Sequence, residues 1–264
     1  METLHISLGH LCIGLLLIII PALILRYYRT GIVSDMFVSV IRMVLQLFMV
    51  GFYLNYIFDW NSMWINIGWL LLMTGVCAFD LIKRIRLSVK VMFMPVYFAV
   101  FLSLSFIAVY FLKGVIGMEH LFDSRYFIPI CGILLGNILS SNVIGMNAFY
   151  SGIMREQQLY HYLLGNGATI QEAQMPFIRQ ALIKSFNPAI ASMAVMGLIA
   201  LPGTMIGQII GGSSPELSIR YQIMIMVINF TASMLALLIS LHFSVRYTFD
   251  RYGRLRKEVI REAH

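Results

Sequence analysis

SVIRMVLQLFMVGFYLNYIF, residues 39–58, is a run of twenty residues with a single charge, Arg42. Wound as an α-helix it is about 30 Å long, which is the thickness of bilayer hydrocarbon. Apolar runs in water-soluble cores are shorter, so the stretch reads as a membrane span and the chain as an integral membrane protein. Arg42 costs roughly 2.5 to 3.5 kcal/mol at midmembrane and needs relief. Two readings stand. The side chain snorkels to the surface from two turns inside the span, or it meets a counter-ion, for which Asp80 at the end of the third span is the candidate. Gln46 lies one helical turn beyond Arg42 on the same face.

The rest of the 264 residues agrees with that reading, since 59% are apolar and 12% charged. Seven helices are expected, at 6–25, 36–58, 63–82, 92–112, 127–150, 188–210 and 220–243, giving an all-α polytopic fold in one domain, 1–264. The segment before the first run has Glu2 and His5 but no Lys or Arg, so no cleavable leader is expected. Basic residues then set the topology. With the N-terminus outside and the C-terminus inside, fifteen Lys and Arg fall in cytoplasmic segments against three outside, namely Lys113, Arg125 and Arg220. The net charge of +7 is thereby a topology signal, with no soluble basic face left for nucleic acid. The tail RYTFDRYGRLRKEVIREAH, 246–264, reads most simply as a cytoplasmic helix lying in water or against lipid, with a specific docking element as the alternative.

This orientation makes 151–187 the longest cytoplasmic loop. Within it, Thr169 followed by Glu172 forms a Thr-x-x-Glu capping box, so a helix starts at Ile170 after a Gly165–Gly167 turn. Ile170, Ala173, Phe177 and Ala181 share its apolar face, Gln171, Glu172 and Gln174 point elsewhere, and Pro176 is expected to kink or end it after two turns. Such a helix either lies passively in the interface or serves as a docking knob that passes a push from a partner to the spans on both sides.

Two spans carry further signals. In 127–150, Asn137, Ser140 and Ser141 share a face, and Gly132 and Gly136 make a small-xxx-small patch. The strip either bonds across a helix bundle or lines a solute path, with Asn142 and Asn147 on its flanks. In 188–210, Pro202 and Gly203 interrupt the apolar run, with Gln208 beyond them. That is a plain kink or a broken helix at a cavity. Cys12, Cys77 and Cys131 lie inside spans without pair spacing, and the six histidines are dispersed, so no metal-ligand cluster is legible. Met193 and Met196 offer thioethers on one face, although packing is the simpler role of the eighteen methionines. No paired carboxylates or Ser/His/Asp set suggests an enzyme.

Several motifs in order resemble the FetB family of iron-export ABC transporter permeases, to which plant aluminium-tolerance permeases are also related. They are Ser-Val-x-Arg-x-x-x-Gln-Leu-x-x-Val-Gly at 39–51, Ile128-Pro129-Ile130 with Gly136-Asn137, Gly167-Ala168-Thr169, Leu201-Pro202-Gly203 and Tyr221-Gln222-Ile223. The resemblance implies a permease subunit, paired as a homodimer in the inner membrane, that exports iron or a small polar solute. ATP and Mg would be bound by a separate cytoplasmic ATPase. This chain has no Gly-x-x-x-x-Gly-Lys-Ser/Thr loop of its own and would bind no cofactor. It further implies that Glu156, Gly167, Ala168, Thr169, Glu172 and Ala173 receive the ATPase, with Tyr162 standing where the class often has Glu. Arg42, Gln46, Asn137, Ser140, Ser141, Pro202, Gly203 and Gln208 are the candidate translocation path. Nucleotide-sugar transport and a non-transporting adaptor are the alternative readings.

Overall fold

The computed structural model describes residues 8–250 and 253–256. Its helices are α1 (Leu8–Leu16), α2 (Ile19–Tyr27), α3 (Val33–Trp60), α4 (Met63–Arg84), α5 (Val89–Val109), α6 (Ser124–Arg155), α7 (Gln157–Gly165), α8 (Ile170–Val195), α9 (Gly203–Ile210) and α10 (Pro215–Thr248). A π-helical turn, Tyr110–Val115, continues α5. Among the described residues the only β-structure is two isolated bridges, Met196 with Ala200 and Phe249 with Leu255. Among the described residues six segments are long and apolar enough to cross a membrane: Gly9–Tyr27, Val33–Trp60, Met63–Arg84, Val89–Val115, Ser124–Arg155 and Pro215–Thr248. The protein is therefore an all-α, multi-pass membrane protein, and six of the seven expected spans are found within a few residues of their expected bounds.

The chain forms two compact units. The first is Met1–Asn61 with Ile210–Gly212, the second Ser62–Ile209 with Ser213–His264. In the first, α1 and α2 make one apolar crossing interrupted at Leu17 and Ile18, whose N–H groups bond back three residues to Gly14 and Leu15 at 3.2 Å. Among its described residues only Ala22 and Ile57 are buried. Side chains such as Leu17, Leu45 and Met49 are exposed, a surface that lipid tolerates and water does not.

In the second unit, α10 packs along α5 and α6, and α8 along α6. Leu81, Val96, Leu104, Leu134, Ile138 and Met146 are fully buried at its core. Local chemistry starts the long helices: the Asp123 carboxylate accepts from Arg125 N–H before α6, and Ser214 accepts from Leu217 N–H before α10, where Pro215 fills the first position. α6 and α10 run the same way, since a Cβ on Gly145 would meet Leu237 and the Tyr150 hydroxyl donates to Ser244 Oγ at 2.8 Å. At 32 and 34 residues they are about 48 and 51 Å long and outrun the hydrocarbon. The end they share also holds the α4–α5 turn and α7, and collects Lys83, Arg84, Arg86, Lys90, Arg155 and Arg246.

The largest departure from expectation lies between α7 and α10. The helix starting at Ile170 is not ended by Pro176; it continues for 26 residues through Pro176 and Pro188 to Val195. Pro176 is exposed, so the carbonyl it leaves free, that of exposed Glu172, can be satisfied by water. Buried Ala173, Phe177 and Ala181 hold the helix to the bundle on either side of it. Midway along, Ser185 Oγ donates to the Ser141 carbonyl at 2.5 Å. The segment expected as one span at 188–210 is the tail of α8, a break at 196–202, and α9. From α7 to the start of α10 the chain passes from one end of the unit to the other, and α8 makes most of that passage.

Candidate functional site

The end where α6, α7 and α8 meet is built from backbone closures. Arg155 reaches Glu156 Oε1 at 3.3 Å, and Glu156 N–H donates to Gly152 O at 2.9 Å where α6 hands over to α7. α7 ends in a Schellman turn: Ala168 N–H bonds to Leu163 O and Gly167 N–H to Leu164 O, each at 3.1 Å. Gly167 sits at φ +90°, where a side chain would be strained, which explains a glycine there. One residue later the expected capping box is present. Thr169 Oγ1 accepts from Glu172 N–H at 3.3 Å, and Thr169 N–H donates to Glu172 Oε2 at 2.8 Å. These bonds, first the backbone one and then that from the Thr169 hydroxyl, hold the Glu172 carboxyl below the usual range. The outcome is an exposed two-helix corner whose second arm runs on into the bundle.

A cluster that sequence reasoning missed supports this corner. Tyr160 of α7 is buried, with its ring 6.1 Å from Phe177 of α8 and 6.0 Å from Phe249 beyond α10. Residues 249, 250 and 253–256 do not continue α10. Phe249 bridges Leu255, Arg256 N–H donates to Thr248 O at 2.9 Å, and the Asp250 carboxylate caps Arg254 N–H at 2.7 Å. Gly253, at φ +75°, lies so close to α7 and α8 that a Cβ would stand 3.0 Å from Leu164 and 3.3 Å from the Tyr160 hydroxyl. The tail expected as a helix is helical only to Thr248, the end of α10, and its described residues beyond form a hook over the corner; 251, 252 and 257–264 lie outside the described residues. Gln174, expected on an outer face, is buried instead beside Tyr160. Burial pushes the Tyr160 phenol above its usual range, Gln174 offsets part of that, and Asp250 adds to it. The signal available in the sequence was Phe249 and Gly253 just past a span, which are odd residues for a solvated basic helix.

The candidate path residues fall in three places. Arg42 and Gln46 are exposed on α3. Asp80, the expected counter-ion of Arg42, pairs with Arg84 one turn along its own helix, at 2.7 Å. On α6, Asn137 and Ser140 are exposed, and each donates back to its own helix, to Ile133 O at 2.9 Å and Gly136 O at 3.0 Å. Ser141 accepts from Ser185 as described. Asn142, in contrast, is buried without a hydrogen-bond partner, level by register with Ser233 of α10, which has none either. Pro202 and Gly203 border the break before α9, and the Gln208 backbone carbonyl accepts from Ser213 N–H at 3.0 Å. Among the described residues no group of three His, Cys, Asp or Glu is placed to hold a metal ion.

Apolar helices long enough to cross a membrane, packed around an interior with buried polar side chains, define the class: an all-α, multi-pass membrane protein. The chain belongs to UPF0014 (Uncharacterised protein family), whose model matches residues 8–249. It is 33% identical to Protein ALUMINUM SENSITIVE 3 of Arabidopsis thaliana over 213 residues, 80% of this chain and 76% of that protein. It is 28% identical to the probable iron export permease protein FetB of Escherichia coli (strain K12) over 256 residues, 97% of each. Against the UPF0014 membrane protein STAR2 of Oryza sativa subsp. japonica the identity is 27% over 215 residues, 80% of this chain and 73% of that protein. No solved structure matches.

Proposed function

We propose that the protein is the permease subunit of an ABC exporter in the inner membrane, working as a homodimer with a separate cytoplasmic ATPase that binds ATP and Mg. The Gly167–Ala173 corner is the docking element, with Glu156 at its base. One observation carries this: the capped start of α8 is continuous with a helix that reaches Ser141 halfway along α6, so a push on the corner moves bundle and corner together. The gathering of basic residues at the same end supports placing it in the cytoplasm, with the N-terminus outside and the C-terminus inside. Export of iron, or of another small polar solute, is suggested by the FetB relative, which is a probable iron export permease.

The test is copurification with the cognate ATPase and ATP-driven flux in proteoliposomes, comparing iron with other metals and nucleotide sugars. A Gly167→Pro, Ala168→Asp double variant is expected to lose both association and flux. Retention of both would refute the docking assignment. Association without flux of any solute would make the protein a membrane adaptor.

A further inference from the structure

The break at 196–202 borders a half-open cavity of about 430 Å³, walled also by the end of α8, by α9 and by α10. Four of its eleven lining residues are methionine, Met193, Met196, Met205 and Met226, against eighteen in the whole chain of 264. They arrive from four separate places: the end of α8, the break, α9 and α10. Gln222 is the one polar side chain on the wall, and its Oε1 already accepts from Thr204 Oγ1 at 2.6 Å. Among the described residues no Asp, Glu, His or Cys lines it.

This donor set discriminates between ions. Iron in either common oxidation state binds oxygen and nitrogen ligands well and thioethers poorly, and nothing on this wall supplies the anionic charge that a dehydrated divalent ion requires. Because desolvation cost grows with the square of charge, a divalent ion is about fourfold worse off here than a monovalent one. Thioethers are neutral, soft and polarizable, and they select soft monovalent ions.

We propose that Met193, Met196, Met205 and Met226 form a thioether site for a soft monovalent cation of the Cu(I) type, held without change of oxidation state. The proposal rests on the transport reading above and replaces iron, as its metal cargo, with a soft monovalent cation.

Ag(I), the redox-inert analogue, is the probe, titrated into detergent-purified full-length protein carrying Cys12→Ala, Cys77→Ala and Cys131→Ala so that thiols do not compete. About one Ag(I) per chain is expected, with a sulfur-only first shell by X-ray absorption. Met205→Leu and Met226→Leu, which conserve volume, should each weaken binding roughly tenfold. The variant with all four leucines should lose it. Unchanged affinity in both single variants, no Ag(I) bound, or a shell of nitrogen and oxygen would overturn the site, and the single variants decide the matter if the fourfold variant does not fold. Copurification with the ATPase separates this site from the reading it rests on. If the ATPase associates but Ag(I) does not bind, only the cation site falls. If Ag(I) binds and no ATPase associates, the permease reading falls and the site stands.

Discussion

Glu172 is fully exposed, yet its carboxyl is held below the ordinary range because it accepts from both the backbone and the hydroxyl of Thr169. A carboxyl whose folded pKa is depressed contributes stability that is present above its unfolded pKa and lost as the pH falls through the folded one. The start of α8 should therefore hold at neutral pH and fray below about 4.3, the ordinary glutamate value. Amide exchange of residues 170–173 across that window checks this, and exchange that is flat with pH would refute it. Thr169→Ala should cost about 1 kcal/mol at the same amides, as loss of an N-cap does. At Gly253 a side chain meets both a left-handed backbone and two neighbours. Gly253→Val should release the hook, raising amide exchange at 253–256 and in α7 while leaving the transmembrane bundle intact. A variant in which α7 exchanges as slowly as before would show that the hook does not brace the corner.

Among the elements, the apolar spans were legible because twenty uncharged residues admit few other readings, and the capping box because its two residues are local. α8 was not. Its first half carries Gln171, Glu172, Gln174, Arg179 and Lys184, a polarity that reads as loop, and two prolines that read as stops. What overrides both is packing against α6, visible only once Phe177 is seen against Gly152 and Ser185 against Ser141. The same limit hid the hook, since nothing local in 249–256 tells that Tyr160, about ninety residues earlier, receives it. Close helix approach was legible as a class, through small residues, but the glycine that matters is Gly145, where a Cβ would lie 2.5 Å from Leu237 Cδ2. Gly145→Ala should destabilise the α6–α10 pair by about 1 to 3 kcal/mol through overpacking. Leu237→Ala in the same chain should recover part of that loss. A double-mutant cycle in detergent unfolding measures the coupling, and strict additivity would mean that the contact is not the cause.

At the scale of the whole molecule, the exposed strip on α6 constrains what surrounds it. Asn137 and Ser140 sit well inside a 32-residue apolar helix, and the helices of their own unit leave them uncovered. Their bonds to Ile133 and Gly136 satisfy one donor each, but the Asn137 carboxamide keeps further polar groups that hydrocarbon would leave unpaired. A neighbour must supply partners, and in the proposed homodimer that neighbour is either the second copy or a water-filled path between copies. Ser140→Cys in the background lacking Cys12, Cys77 and Cys131 distinguishes these surroundings in native membranes. Against a second copy the new thiol cross-links to itself on mild oxidation; along a path it reacts with a membrane-impermeant thiol reagent, at a rate that changes when the ATPase is trapped with nucleotide. A thiol that does neither, and reacts only with lipid-soluble reagents, would place the strip in lipid and remove the reason for assigning α6 to the interior of a dimer.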